Sequence, residues 1–140
     1  MFHFESYRFV KNEDLNHHHT LFAGRAAEWF VETGLLTVAK FIPADHIVCV
    51  NIHEMHFRKP IDLGSIIQTR GRIALASKTS LLVYIEFLVH EERIVSGYIS
   101  YVCVDQEGKA MAHHIHADER QDDPIVQRAK VLKSIVKINN

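Results

Sequence analysis

Apolar positions along the 140 residues change their spacing from segment to segment, and the changes divide the chain into elements. Residues 3–10 (HFESYRFV) mix aromatic and polar side chains as a short strand does, and the polar KNEDLNHHH after them reads as a loop. From Thr20 to about Phe41 the period becomes helical. Phe22, Ala26, Ala27, Phe30, Val31, Gly34, Val38 and Phe41 share one broad face, with Thr20 placed to cap it. Trp29 and Leu36 fall on the other side, so the helix is apolar nearly all round and should be buried on more than one side. Four long strand-like runs follow at roughly 46–57, 64–76, 79–90 and 93–104, rich in β-branched and aromatic residues. RKPIDL, Ser77-Lys78 and Glu91-Glu92 join them, and connections this short imply antiparallel neighbours. Beyond the polar VDQEGKAMAHHIHADERQDD, residues 124–138 return to helical spacing behind Pro124.

This order is strand, long apolar helix, four antiparallel strands, second helix. One sheet must cover the first helix, which makes the chain an α+β protein of a single domain, 1–140. A single sheet leaves apolar surface over, so a dimer or a higher assembly of dimers, such as a tetramer or hexamer, is expected. The composition, 47% hydrophobic and 24% charged, is that of a soluble globular chain. Sixteen basic against seventeen acidic side chains leave a formal charge of -1, with no global field to recruit nucleic acid or an anionic membrane. MFHFESYRFV lacks the basic-then-apolar layout of a signal peptide and no apolar run is long enough to span a bilayer, so a cytoplasmic protein is expected. Cys49 and Cys103 each lie inside an apolar strand-like run and read as reduced core thiols.

Three segments then carry a resemblance. Asn16-His17-His18-His19-Thr20-Leu21-Phe22-Ala23-Gly24 is similar to an Asn-x-x-Gly-x-x-Phe-Gly-Gly helix start, and Phe57-Arg58-Lys59-Pro60-Ile61-Asp62-Leu63-Gly64 to a Phe-x-x-Pro-x-x-x-Gly turn. Val102-Cys103-Val104-Asp105-Gln106-Glu107-Gly108-Lys109 is similar to a Val-x-Val-Asp-x-x-Gly-Lys strand end. In this order the segments, over about residues 5–112, resemble the acyl-CoA thioesterases of the hotdog superfamily, whose long antiparallel sheet wraps a central helix. The resemblance implies hydrolysis of acyl-CoA to a free acid and CoA, a reaction of lipid metabolism, with no cofactor beyond the CoA of the substrate. In such enzymes an acidic residue of the central helix is general base or nucleophile. An Asn of the preceding loop, often from the other protomer, orients water or substrate, and backbone N–H groups at the helix start face the thioester oxygen. A helix start suits that task, because its first N–H groups are unpaired and its dipole is positive there.

Counted from the glycine pair, the family's carboxylate position is held by Val31, with Glu32 one residue later and Glu28 three earlier. Ala23 and His19 stand where the family has glycines. The expected catalytic group is therefore Glu32, with Asn16, Gly24, Glu28 and His19 as its companions. Phe22 and Ala23 would meet the substrate at the helix start. Lys78, Thr79 and Ser80 correspond to a Gly-Arg-Thr-Ser segment able to pair with CoA phosphates. Each has a plainer reading: an oligomer contact for Glu32, an Arg25–Glu28 surface pair, a turn residue for Asn16 and a solvated turn lysine for Lys78. Phe30, Leu35 and Leu36 line an acyl pocket or simply pack the core. His17, His18, His19, His113, His114 and His116 lack a recognised metal spacing, and no metal is expected. Two other functions stay open. Val31 in place of the acid suits a non-catalytic acyl-CoA binding or sensing domain, and His19 with Glu28 or Glu32 could serve a hydratase acting on β-hydroxyacyl thioesters, although that family's helix-start motif is absent.

Overall fold

A computed structural model describes residues 1–139. Strand β1 (Phe4–Phe9) leads through a short 3-10 turn (Asn12–Asp14) and a loop to helix α1 (Ala23–Ala39). Then come β2 (Ile47–Phe57), β3 (Ile66–Ala76), β4 (Ser80–Val89), β5 (Glu92–Cys103) and, after a long connection, helix α2 (Pro124–Asn139). The strands form one antiparallel sheet in the order β1-β3-β4-β5-β2. Hairpins join β3 to β4 and β4 to β5, as the short connections require, while β1 and β2 form the two edges.

Helix α1 lies across the inner face. Ala26, Phe30 and Val38 are buried with Ile67, Ile73, Val83, Ile85, Phe87, Val95 and Ile99. On the outer face Val126, Ala129 and Leu132 of α2 bury Ala74, Leu75, Leu82, Tyr84 and Tyr98. With helices on both faces, β4 is buried along nearly its whole length, which is why TSLLVYIEFLVH shows no simple alternation. Glu86 is buried on that strand but paired, accepting hydrogen bonds from Arg70 and from the Tyr84 hydroxyl at 2.7 and 2.6 Å. Glycine sets the closeness of helix to sheet at two points: a Cβ on Gly71 would collide with Thr37, and one on Gly34 with the Tyr101 hydroxyl, which donates to the Val31 carbonyl at 2.9 Å.

Several details differ from the pattern-based expectation. Helix α1 begins at Ala23, with Phe22 at the cap position, because Thr20 is engaged elsewhere: its backbone bridges to Asp62 and its side chain bonds Asn16. Trp29 belongs to the buried face, not the opposite side, and Phe22 and Phe41 at the helix ends are exposed. The core positions beside Trp29 and Phe30 include Thr33 and Thr37, whose hydroxyls are satisfied one turn back by donating to the carbonyls of Trp29 and Thr33 at 2.7 Å each. Polar letters thus conceal part of the buried stripe. Cys103 is a buried thiol, whereas Cys49 is exposed, since it sits on edge strand β2 beyond the cover of α1.

Ion pairs tie α2 to the sheet. Asp123 holds Arg72 at 2.5 Å and accepts the Ile125 N–H at 2.9 Å as the helix cap, while Arg128 grips Glu54 in a fork of 3.0 and 2.7 Å. The Arg128 hydrogen bonds hold the Glu54 carboxyl below its ordinary 4.5, against the opposing effect of burial. Burial alone would raise Asp123, but the Arg72 hydrogen bond and charge and the cap N–H groups outweigh it and bring the carboxyl below 3.8. Both native values are depressed, so the stabilisation is present in full above the ordinary carboxylate values and is lost as pH falls through the lowered ones. Amides of Val126–Leu132 should therefore lose hydrogen-exchange protection below about pH 4 before those of β4 do. Simultaneous loss in both elements would show that these pairs do not govern the docking of α2.

Candidate active site

The loop before α1 is knotted by Asn16. Its Oδ1 accepts the N–H groups of His18 (2.8 Å) and Thr20 (3.2 Å), and its Nδ2 donates to Thr20 Oγ1 at 3.1 Å. Backbone bonds from Asn16 N–H to the Thr20 carbonyl (2.7 Å) and from Leu21 N–H to the Ile61 carbonyl (2.8 Å) close the loop and seat it against the turn before β3. His19 occupies the left-handed region at φ 62. It stands at the motif's glycine position, and Gly64 and Gly108, the turn glycines of the other two segments, also have positive φ, at 85 and 83. His19 keeps the glycine conformation without being glycine, and its side chain is exposed.

Helix α1 then opens with two unsatisfied donors. Arg25 and Ala26 N–H both bond the Phe22 carbonyl at 3.0 Å, whereas Ala23 and Gly24 N–H have no partner among the described residues. Both residues are exposed, and the Phe22 ring, itself exposed, lies where a Cβ on Gly24 would be. A cleft at this point is lined by Glu13, Asp14, Phe22, Gly24, Arg25 and Glu28. An adjoining one runs along Arg8, Asp14, Arg25, Glu28 and Trp29. Asp14 anchors the pair: it is buried, accepts the Lys11 N–H at 2.9 Å, lies 3.2 Å from Arg25 Nε, and its carbonyl takes the Phe22 N–H at 2.9 Å.

The two candidate carboxylates are placed differently. Glu28 opens into both clefts, its side chain 62% exposed and 3.5 Å from Arg25. Glu32 is ion-paired with Arg8 of β1, whose guanidinium also lies over Trp29, 5.3 Å from the ring centre. At about 100° per residue, Glu28 projects about 40° round the helix from Gly24 and Glu32 about 80°. Val31, at the family's acid position, packs at the edge of the core. Sequence reasoning passed over Arg8 and Asp14. The signal for Arg8 was its phase: Phe4, Ser6 and Arg8 are the half-buried positions of β1, so this guanidinium points towards α1.

The structure does not bring Lys78, Thr79 and Ser80 to this site within one protomer. They form the β3–β4 hairpin, whereas the α1 start packs on residues 61–62 at the opposite end of β3, and eleven strand residues span roughly 36 Å. The hairpin backbone is tied to the C-terminal side of the sheet, the Lys78 carbonyl taking His113 N–H at 3.2 Å. His113 Nδ1 accepts the Ile115 N–H at 2.9 Å, so its Nε2 carries the proton donated to the Ser80 carbonyl at 3.0 Å, a structural role. Among the described residues no three His, Cys, Asp or Glu side chains converge as metal ligands would, and no helix is long and apolar enough to cross a membrane.

No protein-family model and no curated protein matches the chain. Solved structures do. An acyl-CoA hydrolase from Staphylococcus aureus superposes with a TM-score of 0.84 at 23% identity, over 96% of this chain and 86% of the other; it has been seen with butyryl-CoA and CoA. A hexameric acyl-CoA thioesterase superposes at 0.85 with 20% identity, over 97% and 91%. The chain has the hotdog fold. A hexameric thioesterase from Yersinia pestis shares it at 0.72 and 21% identity, over 79% of this chain and 93% of that one. Within the hotdog frame α1 is the central helix, and at its exposed start a sequence motif, unbonded backbone donors and the Glu28 carboxylate coincide.

Proposed function

We propose that this hotdog protein hydrolyses acyl-CoA thioesters to a free acid and CoA. The observation that carries the reading is the pair of unbonded N–H groups of Ala23 and Gly24 at the helix start, with Gly24 and Glu28, one turn apart, lining one cleft. A thioester carbonyl lodged there would have its developing oxyanion met by backbone donors, each worth about 10²- to 10³-fold in rate. Glu28 would take a proton from the attacking water or attack the carbonyl itself, with Arg25 and Asp14 setting its position. Glu32, held by Arg8, is the second carboxylate. Asn16 acts here by shaping the loop, and Phe22 on the cleft lining, with the exposed Ala23 next to it, would meet the substrate. The solved structures of the same fold that are acyl-CoA hydrolases or thioesterases support the choice of substrate class.

Edge strand β2 supports a dimer. Its outward hydrogen-bonding row is unpaired in the protomer, and Val48, Val50, Ile52 and Phe57 are exposed along it. Antiparallel pairing of β2 with a second copy would extend the sheet and bring that copy's β3–β4 hairpin, with Lys78, Thr79 and Ser80, to the end of the sheet where Gly24 lies. Sedimentation at micromolar concentration should show a dimer or a multiple of it, and Ile52→Glu should shift the population towards monomer. A monodisperse wild-type monomer would remove this half of the proposal.

Free-thiol release from short, medium, long and aromatic acyl-CoAs tests the activity. Turnover of at least one class is expected. Binding with no turnover of any would favour a sensing domain, consistent with Val31 at the acid position.

A further inference from the structure

A cavity of about 560 Å³ lies on the sheet face opposite α1, under the C-terminal half of α2. It crosses the sheet from Leu75 and Ser77 at β3, over Leu82 and Ser100, to Val50 and His53 on β2. Three inter-strand spacings of about 4.8 Å make the path roughly 14 Å long. The volume is in the range of small-molecule sites, about 300–1,000 Å³.

One end is cationic and the walls are mainly apolar, with Asn51 and His53 at the far end. Lys133 reaches down from α2 and donates to Ser77 Oγ at 2.6 Å, with Ser80 beside it on the lining. The ammonium has three donors, and no carboxylate lies within 4.0 Å of it among the described residues. At the far end His53 Nε2 and Ser100 Oγ bond each other at 2.5 Å beside Asn51, and Leu75, Leu82, Val50 and Val136 form the walls. A half-buried cation facing an apolar channel is matched by an anionic head on an alkyl tail. A single ammonium neutralises one negative charge, which suits a carboxylate better than a phosphate monoester.

We infer that this cavity is a binding site for a medium-chain carboxylate, its head on Lys133 and Ser77 and its tail running across β4 and β5 towards His53. The site is separate from the α1 start and does not depend on the hydrolytic reading. If both hold, the ligand is of the same class as the product.

Calorimetric titration of the full-length protein with decanoate, below its micelle concentration and with no thioester present, tests the site. Expected are saturable binding at one per chain, at least tenfold weaker binding by Lys133→Gln and of decanol, and no displacement by saturating CoA. Within its own protomer Lys133 is remote from Gly24 and Glu28, and its bond to Ser77 places it beside the Lys78–Ser80 hairpin, so the control is kcat for thiol release at saturating thioester, which should match wild type in Lys133→Gln. Unchanged affinity in Lys133→Gln, displacement by CoA, or no saturable binding would each overturn the inference, and none of these bears on whether Glu28 supports hydrolysis.

Discussion

Glu28→Gln should lower kcat for the preferred acyl-CoA by about 10²- to 10⁴-fold, the contribution of a positioned general base. The substitution keeps the volume of the side chain and removes its charge. Because Glu28 is mostly exposed and its only ion pair among the described residues is the 3.5 Å contact with Arg25, folding stability should change by no more than about 0.5 kcal/mol. The loss would therefore report chemistry. Glu32→Gln is expected to have a much smaller effect on kcat, since Glu32 is held by Arg8 and does not line the cleft that Gly24 and Glu28 share. Measuring both variants at equal folded fraction separates three cases. Loss confined to Glu28→Gln supports the assignment made here. Loss confined to Glu32→Gln would make the Arg8-held carboxylate the base and require substrate to approach from the β1 side. Full activity in both would leave no helix carboxylate to perform the reaction and sink the mechanism.

Phe30→Ala should destabilise the protein by about 3–5 kcal/mol. Phe30 is fully buried at the middle of α1, with its ring 6.1 Å from that of Phe87 and inclined at 66°, and it fills the space left by the missing side chain of Gly97. The surrounding groups cannot collapse into the vacancy. Gly97 already packs against the Glu54 backbone carbonyl, and β4 and β5 are fixed by pairing on both sides. Both the lost transfer energy and the cavity term are therefore felt. With a denaturant slope of about 1–3 kcal/mol per molar in urea, the midpoint should fall by a molar or more. The comparison is made at one protomer concentration, because assembly adds to apparent stability. A loss below about 1 kcal/mol would mean that α1 is not clamped to the sheet at this point as described.

The motifs were more faithful to backbone conformation than to side-chain identity. At position 19 the glycine of the resembled segment is replaced by His19, yet the chain still takes a positive φ there, because the Asn16 knot fixes the loop on both sides. Position 31 shows the same division. The helix continues unbroken through Val31, and the charge has moved to neighbouring positions whose directions differ by turns of the helix. Counting residues could place Glu28 and Glu32 near a thioester but could not choose between them. That choice depends on Arg8, which lies 24 residues from Glu32 in sequence and meets it only because β1 runs alongside α1.

By itself the sequence determined the order of elements, the antiparallel hairpins, the wrapped central helix and the positions of the turns, because each follows from short-range periodicity and from which residues tolerate a given φ. Only the tertiary structure decided which side of α1 is open, that Thr33 and Thr37 belong to the core, that Lys78–Ser80 stand at the far end of the sheet from Gly24 within one protomer, and that α2 roofs a channel headed by Lys133. These depend on strand order and on which face each helix covers. Such contacts join residues far apart in the chain, and no local pattern of apolar and polar letters encodes them.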